Sequence, residues 1–251
     1  MASPTRFLSG VTPAASFQPL GHCGVPDPFF YAQYDDDFIH YNSGDYTVTS
    51  PNSGTVAATA AKGSGGRILL TTGATGGNYC SLQLSTASFQ IVAGKKLFYL
   101  VRLQVENITT QAILVGLCNT TTTPLSAVAD GIYFSKAAAS TSFVLTNRAG
   151  SATIGSTTIT AAQSGFAAAT DIDLGFYVDR AGNIRAFVGN SLEGAKRQNT
   201  ATLGPNFGIK ASDLTAAQTA VLLNPTLAVG NGATAAAITG TADFQFAAQE
   251  R

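Results

Sequence analysis

The feature that most restricts this chain is a row of alternating residues near its middle. From residue 97 to 106 one set of positions reads Leu97, Tyr99, Val101, Leu103 and Val105, while the set between them reads Phe98, Leu100, Arg102, Gln104 and Glu106. Period two is the repeat of a β-strand, because successive side chains leave a pleated backbone on opposite faces. The second set begins apolar and ends charged. That face is therefore expected to be covered by protein over its first half and to approach solvent or a partner subunit over its second. Residues 112–117 repeat the alternation, with Ile113, Val115 and Leu117 on one side and Leu114, Gly116 and Cys118 on the other. Glu106, Asn107, Thr109, Thr110 and Gln111 supply turn chemistry, so the two stretches are expected to pair as a central hairpin.

Further strand signals recur at short intervals along the chain. Residues 41–49, 55–61, 67–72, 79–84, 130–134, 143–145, 153–160, 172–179 and 184–188 read as strands, with Asp179-Arg180-Ala181-Gly182-Asn183 as a strong hairpin turn. Residues 226–229 and 241–247 close the series, and residues 243–246 are expected to return beside residues 46–48. Regular short strands separated by turns describe a two-sheet antiparallel sandwich. One stretch departs from the pattern: Ser212 is placed to cap a short helix over residues 213–223, which Asn224-Pro225 would end.

The first thirty residues carry Pro4, Pro13, Pro19, Pro26 and Pro28 without sustained periodicity, which predicts an extended arm over residues 1–34 ahead of a single sandwich domain at 35–251. A sandwich of about 200–250 residues commonly forms one domain. The arm's Phe7, Phe17, Phe29 and Phe30 are costly to leave exposed together, so they are the candidate partner-binding residues, lying along this domain or a neighbouring subunit. Charge narrows the possibilities further. Charged residues make up 11% of the chain and the formal net charge is zero, against roughly 25% charged in ordinary soluble proteins. So sparse a surface suits a subunit covered by neighbours. It also lacks the basic footprint of a nucleic-acid binder, and no apolar run is long enough for a membrane-spanning helix. The three cysteines, Cys23, Cys80 and Cys118, show no paired spacing and read as buried free thiols or, alternatively, a single cross-link.

Each motif with possible chemistry has a plainer reading beside it. Asp35-Asp36-Asp37 offers calcium-type oxygens but lacks the EF-hand spacing, and a solvated turn opening a strand accounts for it. The glycines of residues 62–66 lack the order and following helix of a phosphate loop. His22 and His40 have no further ligand at metal spacing except the adjacent Cys23, and no nucleophile elbow is present. Asp171 and Asp173 have the alternate spacing that puts two acids on one face of a strand, as retaining glycosidases use, but no Trp is available for sugar stacking. The expectation is a non-enzymatic protein with no catalytic residue, no cofactor and no metal.

The order of several short motifs resembles a group of tailed-bacteriophage structural proteins with a lectin-like, concanavalin-like jelly roll. These are Asp36-Asp37-Phe38, Leu69-Leu70-Thr71-Thr72-Gly73, Ala93-Gly94-Lys95-Lys96-Leu97-Phe98-Tyr99 and Val115-Gly116-Leu117, followed by Asp130-Gly131-Ile132-Tyr133-Phe134, Leu174-Gly175-Phe176-Tyr177-Val178-Asp179 and Asn224-Pro225-Thr226-Leu227-Ala228-Val229. The likeness covers residues 35 to the end. It implies an all-β jelly roll serving as a capsid decoration, or cement, protein on the virion exterior, made in the host cytoplasm. Its implied partners are the major capsid protein and its own copies, as a dimer or trimer. A carbohydrate-binding module of a phage fibre or tail is the alternative function.

Overall fold

A computed structural model describes residues 30–59, 66–190, 208–209 and 221–251. Two antiparallel sheets of eight strands each pack face to face. The strands are β1 Tyr31–Asp36, β2 Tyr46–Thr49, β3 Thr55–Thr59, β4 Arg67–Thr71, β5 Tyr79–Leu84, β6 Phe89–Gln90, β7 Leu97–Val105 and β8 Ala112–Cys118. They continue as β9 Gly131–Lys136, β10 Phe143–Ala149, β11 Ala152–Ile159, β12 Ile172–Val178, β13 Ile184–Asn190, β14 Gly208–Ile209, β15 Leu222–Gly230 and β16 Thr239–Glu250. The first sheet runs β14-β13-β12-β7-β16-β4-β3, with β1 also on β16; the second runs β11-β10-β9-β8-β15-β5-β2, with β6 also on β15.

The alternation of β7 and β8 is as the sequence predicts, but the two strands are not a hairpin. β7 lies between β12 and β16 in the first sheet, whereas β8 lies between β9 and β15 in the second. The six residues between them cross from one sheet to the other. Asn107 shapes that corner by accepting the backbone N–H groups of Thr109 (2.8 Å) and Thr110 (3.1 Å), and the Gln111 amide ties it to the Thr239 carbonyl (3.0 Å). Leu97, Tyr99, Val101, Leu103 and Val105 therefore face Ile113, Val115, Leu117, Leu227 and Val229 across the interior, and all are buried.

The closing strand also lies elsewhere than expected. β16 pairs with β1 from Tyr31↔Glu250 to Asp36↔Gln245, so the returning strand does lie beside the first one. That first strand begins at Tyr31, inside the segment assigned to the arm. Residues 46–48 belong instead to β2, at the edge of the second sheet against β5. β2 is linked to β1 through side chains: the Tyr34 and Tyr46 hydroxyls are 2.8 Å apart, and Tyr46 donates to the Asp36 carboxylate. Asp36 also accepts the Phe38 N–H at 2.7 Å, which holds the buried Phe38 at a left-handed φ of 52°. The acidic run is thus partly a turn device.

The expected helix gives way to strand at its end. Leu222 and Leu223 open β15, while residues 212–220 of that helix lie outside the described residues. Pro225 sits inside β15 without loss because β15 changes neighbours there, from β6 at Leu223 to β5 at Thr226, so no ladder partner on that side needs the missing N–H. A one-turn helix occurs at Ala161–Ser164 instead, set by a capping box in which Thr160 and Gln163 satisfy each other's backbone N–H groups. Cys80 and Cys118 are buried free thiols, and Cys23 lies outside the described residues.

Two polar groups in the interior are positioned by the sheets. The buried Gln245 donates from Nε2 to the Tyr99 hydroxyl at 2.9 Å. Lys136, 2% exposed at the end of β9, donates from Nζ to the Gln111 (2.6 Å) and Ala137 (3.2 Å) carbonyls. Burial pushes its pKa down to about 8. A depressed pKa costs stability while the amine is charged. Between about pH 8 and its ordinary value of 10.5 the unfolded chain holds a proton that the folded chain has released, so this contribution rises with pH. Urea unfolding from pH 7 to pH 10 is therefore expected to show the wild type gaining about 1–3 kcal/mol relative to Lys136→Met. Parallel pH profiles for the two proteins would refute this origin of the shift.

Candidate functional site

Among the described residues, the outer face of the first sheet gathers a group of charged and aromatic side chains. β7 contributes Phe98, Leu100 and Arg102; register places Tyr177 and Ala248 beside Phe98, Gly175 and Phe246 beside Leu100, and Asp173 and Phe244 beside Arg102. The face thus divides along β7. Its aromatic half holds Tyr31, Phe98, Leu100, Tyr177, Phe187, Phe246 and Ala248 as one buried cluster, with the Phe98 and Tyr177 rings stacked at 4.7 Å. A Cβ at Gly175 would lie 2.9 Å from the Leu100 Cδ1, so the missing side chain there is what lets Leu100 lie flat.

The other half is a chain of ion pairs. Arg67 grips Asp171 through two hydrogen bonds, of 2.9 and 2.6 Å, and Arg102 grips Asp173 through two, of 2.8 and 3.3 Å. Asp243 stands between the arginines, 3.8 Å from Arg67 and 3.4 Å from Arg102. It reaches this face because β16 is bulged between Ala242 and Phe244, which turns two consecutive side chains outward before Gln245 returns to the interior. The Arg102 guanidinium also lies 5.2 Å above the Phe244 ring centroid. Its burial favours loss of the proton, but the Asp173 and Asp243 carboxylates outweigh that and its pKa is raised.

This geometry answers what Asp171 and Asp173 do. The two acids share a face, as their spacing predicts, yet each has both oxygens engaged by a guanidinium. A retaining glycosidase needs one carboxyl protonated and the other free to attack. Bidentate arginine occupies the carboxylate lone pairs that an attack or a proton transfer would use. The pair as placed is a brace linking β4, β7, β12 and β16. Sequence reasoning missed its arginines, because Arg67 is 104 residues from Asp171 and only the sheet order joins them.

Other candidate positions give less. Phe30 is 65% exposed at the start of β1; Phe7, Phe17 and Phe29 lie outside the described residues, as do His22 and residues 60–65 of the glycine loop. Among the described residues no three His, Cys, Asp or Glu side chains are grouped to hold a metal ion. An interior cavity between the sheets, lined by Leu70, Leu103, Val115, Leu227 and Ala242 among others, measures about 20 Å³. It has room for no more than a water-sized molecule.

The chain matches no protein-family model, and no curated protein matches it in sequence. Its fold does have relatives among solved structures. An endo-1,3-β-glucanase from Streptomyces sioyaensis superposes with a TM-score of 0.58 at 14% identity, over 89% of this chain and 98% of the glucanase. Arcelin-5, a lectin-like defence protein from Phaseolus vulgaris, gives 0.54 at 8% identity over 88% of this chain and 100% of its own. The exoplasmic/lumenal domain of VIP36, in a form bound to Ca2+ and Man3GlcNAc, gives 0.52 at 10% over 84% and 86%. The fold is therefore a lectin-like β-sandwich. Because it is shared by a hydrolase and by lectin-like proteins, it does not itself assign an activity.

If the arginines hold the acids as a brace, their loss should register as stability. Arg102→Met removes the guanidinium from Asp173, whose side chain is 6% exposed, and should cost about 3 kcal/mol in urea unfolding. Asp173→Asn alone should cost about 1–2 kcal/mol. The double variant should cost less than the two singles combined, with a coupling of about 1 kcal/mol or more. Strict additivity would show that the pair contributes nothing as a pair.

Proposed function

We propose that this chain is a non-enzymatic virion structural protein of a tailed bacteriophage that decorates the capsid exterior by binding the major capsid protein lattice. The observation that carries the reading is how the few charges are used. Arg67, Arg102, Asp171, Asp173 and Asp243 are consumed by one another on one sheet face, and Arg180 pairs with Glu250. With charged residues only 11% of the chain and these seven paired with one another, the exterior carries little free charge for its area, which suits burial against neighbours in a repeating assembly. The motif order described above supports the same reading. Binding then rests on many weak apolar and backbone contacts repeated over the lattice, each made at high effective concentration once the first has formed. Phe7, Phe17, Phe29 and Phe30, in the proline-rich sequence at and before the start of β1, are the proposed anchors, each contributing roughly 1.5–3 kcal/mol if fully covered.

A second reading, a carbohydrate-binding module of a fibre or tail, draws on the fold shared with arcelin-5 and with the glycan-bound VIP36 domain. The two separate by experiment. Purified full-length chain added to undecorated capsids should appear at regular positions on their surface by cryo-electron microscopy. It should stay bound in roughly 1 M salt, where charges are screened beyond about 3 Å. Deleting residues 1–29 should leave a folded sandwich by circular dichroism that decorates poorly. Glycan-array binding without capsid affinity would replace this proposal with the second reading, and release by moderate salt would remove the apolar mechanism.

A further inference from the structure

A β-sheet edge exposes unpaired N–H and C=O groups, and proteins usually blunt such edges with charge, proline, brevity or a bulge. The terminal strands of this sandwich differ sharply in that respect. β1 carries Asp35 and Asp36; β6 and β14 are two residues long. β2 is four residues long and follows directly on Asp45, and β11 is bulged where its pairing shifts register opposite Asn147 and Arg148. β3 has none of these devices. Its five residues pair one-to-one with β4, from Thr55↔Thr71 to Thr59↔Arg67, and among the described residues β4 is its only neighbour in the sheet.

The sequence of that edge also fits itself. Thr55-Val56-Ala57-Ala58-Thr59 is almost a palindrome about Ala57. An antiparallel second copy centred there would set Thr55 against the partner's Thr59, Val56 against the partner's Ala58, and Ala57 against the partner's Ala57. Cross-strand Thr–Thr pairs are favourable, and no like charges meet. A two-fold interface requires this property, since the same strand must complement itself. Thr55, Ala57 and Ala58 are exposed, and two exposed apolar side chains flank the edge. Val48 lies on β2, the terminal strand of the second sheet on the same side of the sandwich; Ile39 lies beside Gly66, which leads into β4 opposite the end of β3.

We propose that β3 is the seam of a homodimer, in which a second copy of this chain pairs antiparallel to it and the two first sheets become one continuous sheet. The occupant is a second copy because the edge is neutral and self-complementary. The inference is independent of the virion reading, since a lectin-like module could assemble by the same seam.

Sedimentation velocity of the full-length chain should give a species of twice 25.7 kDa. Ala57→Lys sets two ammonium groups face to face at the two-fold axis and should raise the dimer dissociation constant roughly 100-fold, with the circular dichroism unchanged. Ala57→Asp should do the same, and an equal mixture of the two variants should dimerise again. Directly opposed residues have Cα atoms about 4.5–5.5 Å apart, within disulfide range. Ala57→Cys, in a Cys23→Ser background, should therefore cross-link to dimer with oxidised glutathione, whereas Thr158→Cys on β11 should not. The cross-link decides the matter even if a charged variant folds badly. A wild type that stays at one-chain mass at every concentration, a dimer that survives Ala57→Lys, or cross-linking through Thr158→Cys alone would overturn the proposal.

Discussion

The structure depends on the contact between the inward row of β7 and the inward rows of β8 and β15. Five consecutive alternate residues of β7 are buried there, and Tyr99 stacks on Phe176 of β12 at 5.3 Å while Phe134 of β9 approaches the same ring from the opposite sheet. Each such side chain contributes roughly 1.5–3 kcal/mol when fully covered, and together they form the middle of the interior. Everything else is arranged around its two surfaces. The strands that flank β7 and β8 extend the interior sideways, and the outer faces are left for polar and aromatic side chains.

The outer face of the first sheet shows how a chain poor in charge uses it. Three carboxylates and two guanidinium groups sit within a few ångströms, and their alternation satisfies each in turn. The acids that sequence spacing picks out as a possible catalytic pair are held by the arrangement that brings them together. Next to them the aromatic cluster of Phe98, Tyr177, Phe187 and Phe246 is buried as well. The uncharged terminal strand β3 lies at the edge of the same sheet.

Much of this was legible from residues alone. Alternation located β4, β5, β7 to β13 and the core of β15 and β16, because period two is a local property of the backbone. It also sorted inward from outward residues along β7 before any neighbour was known, and it placed Asp171 and Asp173 on one face. Strand neighbours were not legible in the same way. The polar run between β7 and β8 is long enough either to turn back within a sheet or to cross to the other one, and local sequence does not distinguish the two. What decides it is that β12 and β16 occupy the edges of β7, while β9 and β15 occupy those of β8.

The same limit applies to the charged face and to the sheet edges. The sequence by itself determined that the chain is built of antiparallel strands with a low-charge exterior, since periodicity and composition belong to the residues. Only the tertiary structure decided that Arg67 meets Asp171, that a bulge turns Asp243 outward between two arginines, that Pro225 falls where a strand changes neighbours, and that Thr55–Thr59 is a sheet edge. Those outcomes depend on which distant strands share a sheet. That order is set by the packing of the whole interior, in which no single segment carries enough buried area to choose its own neighbours.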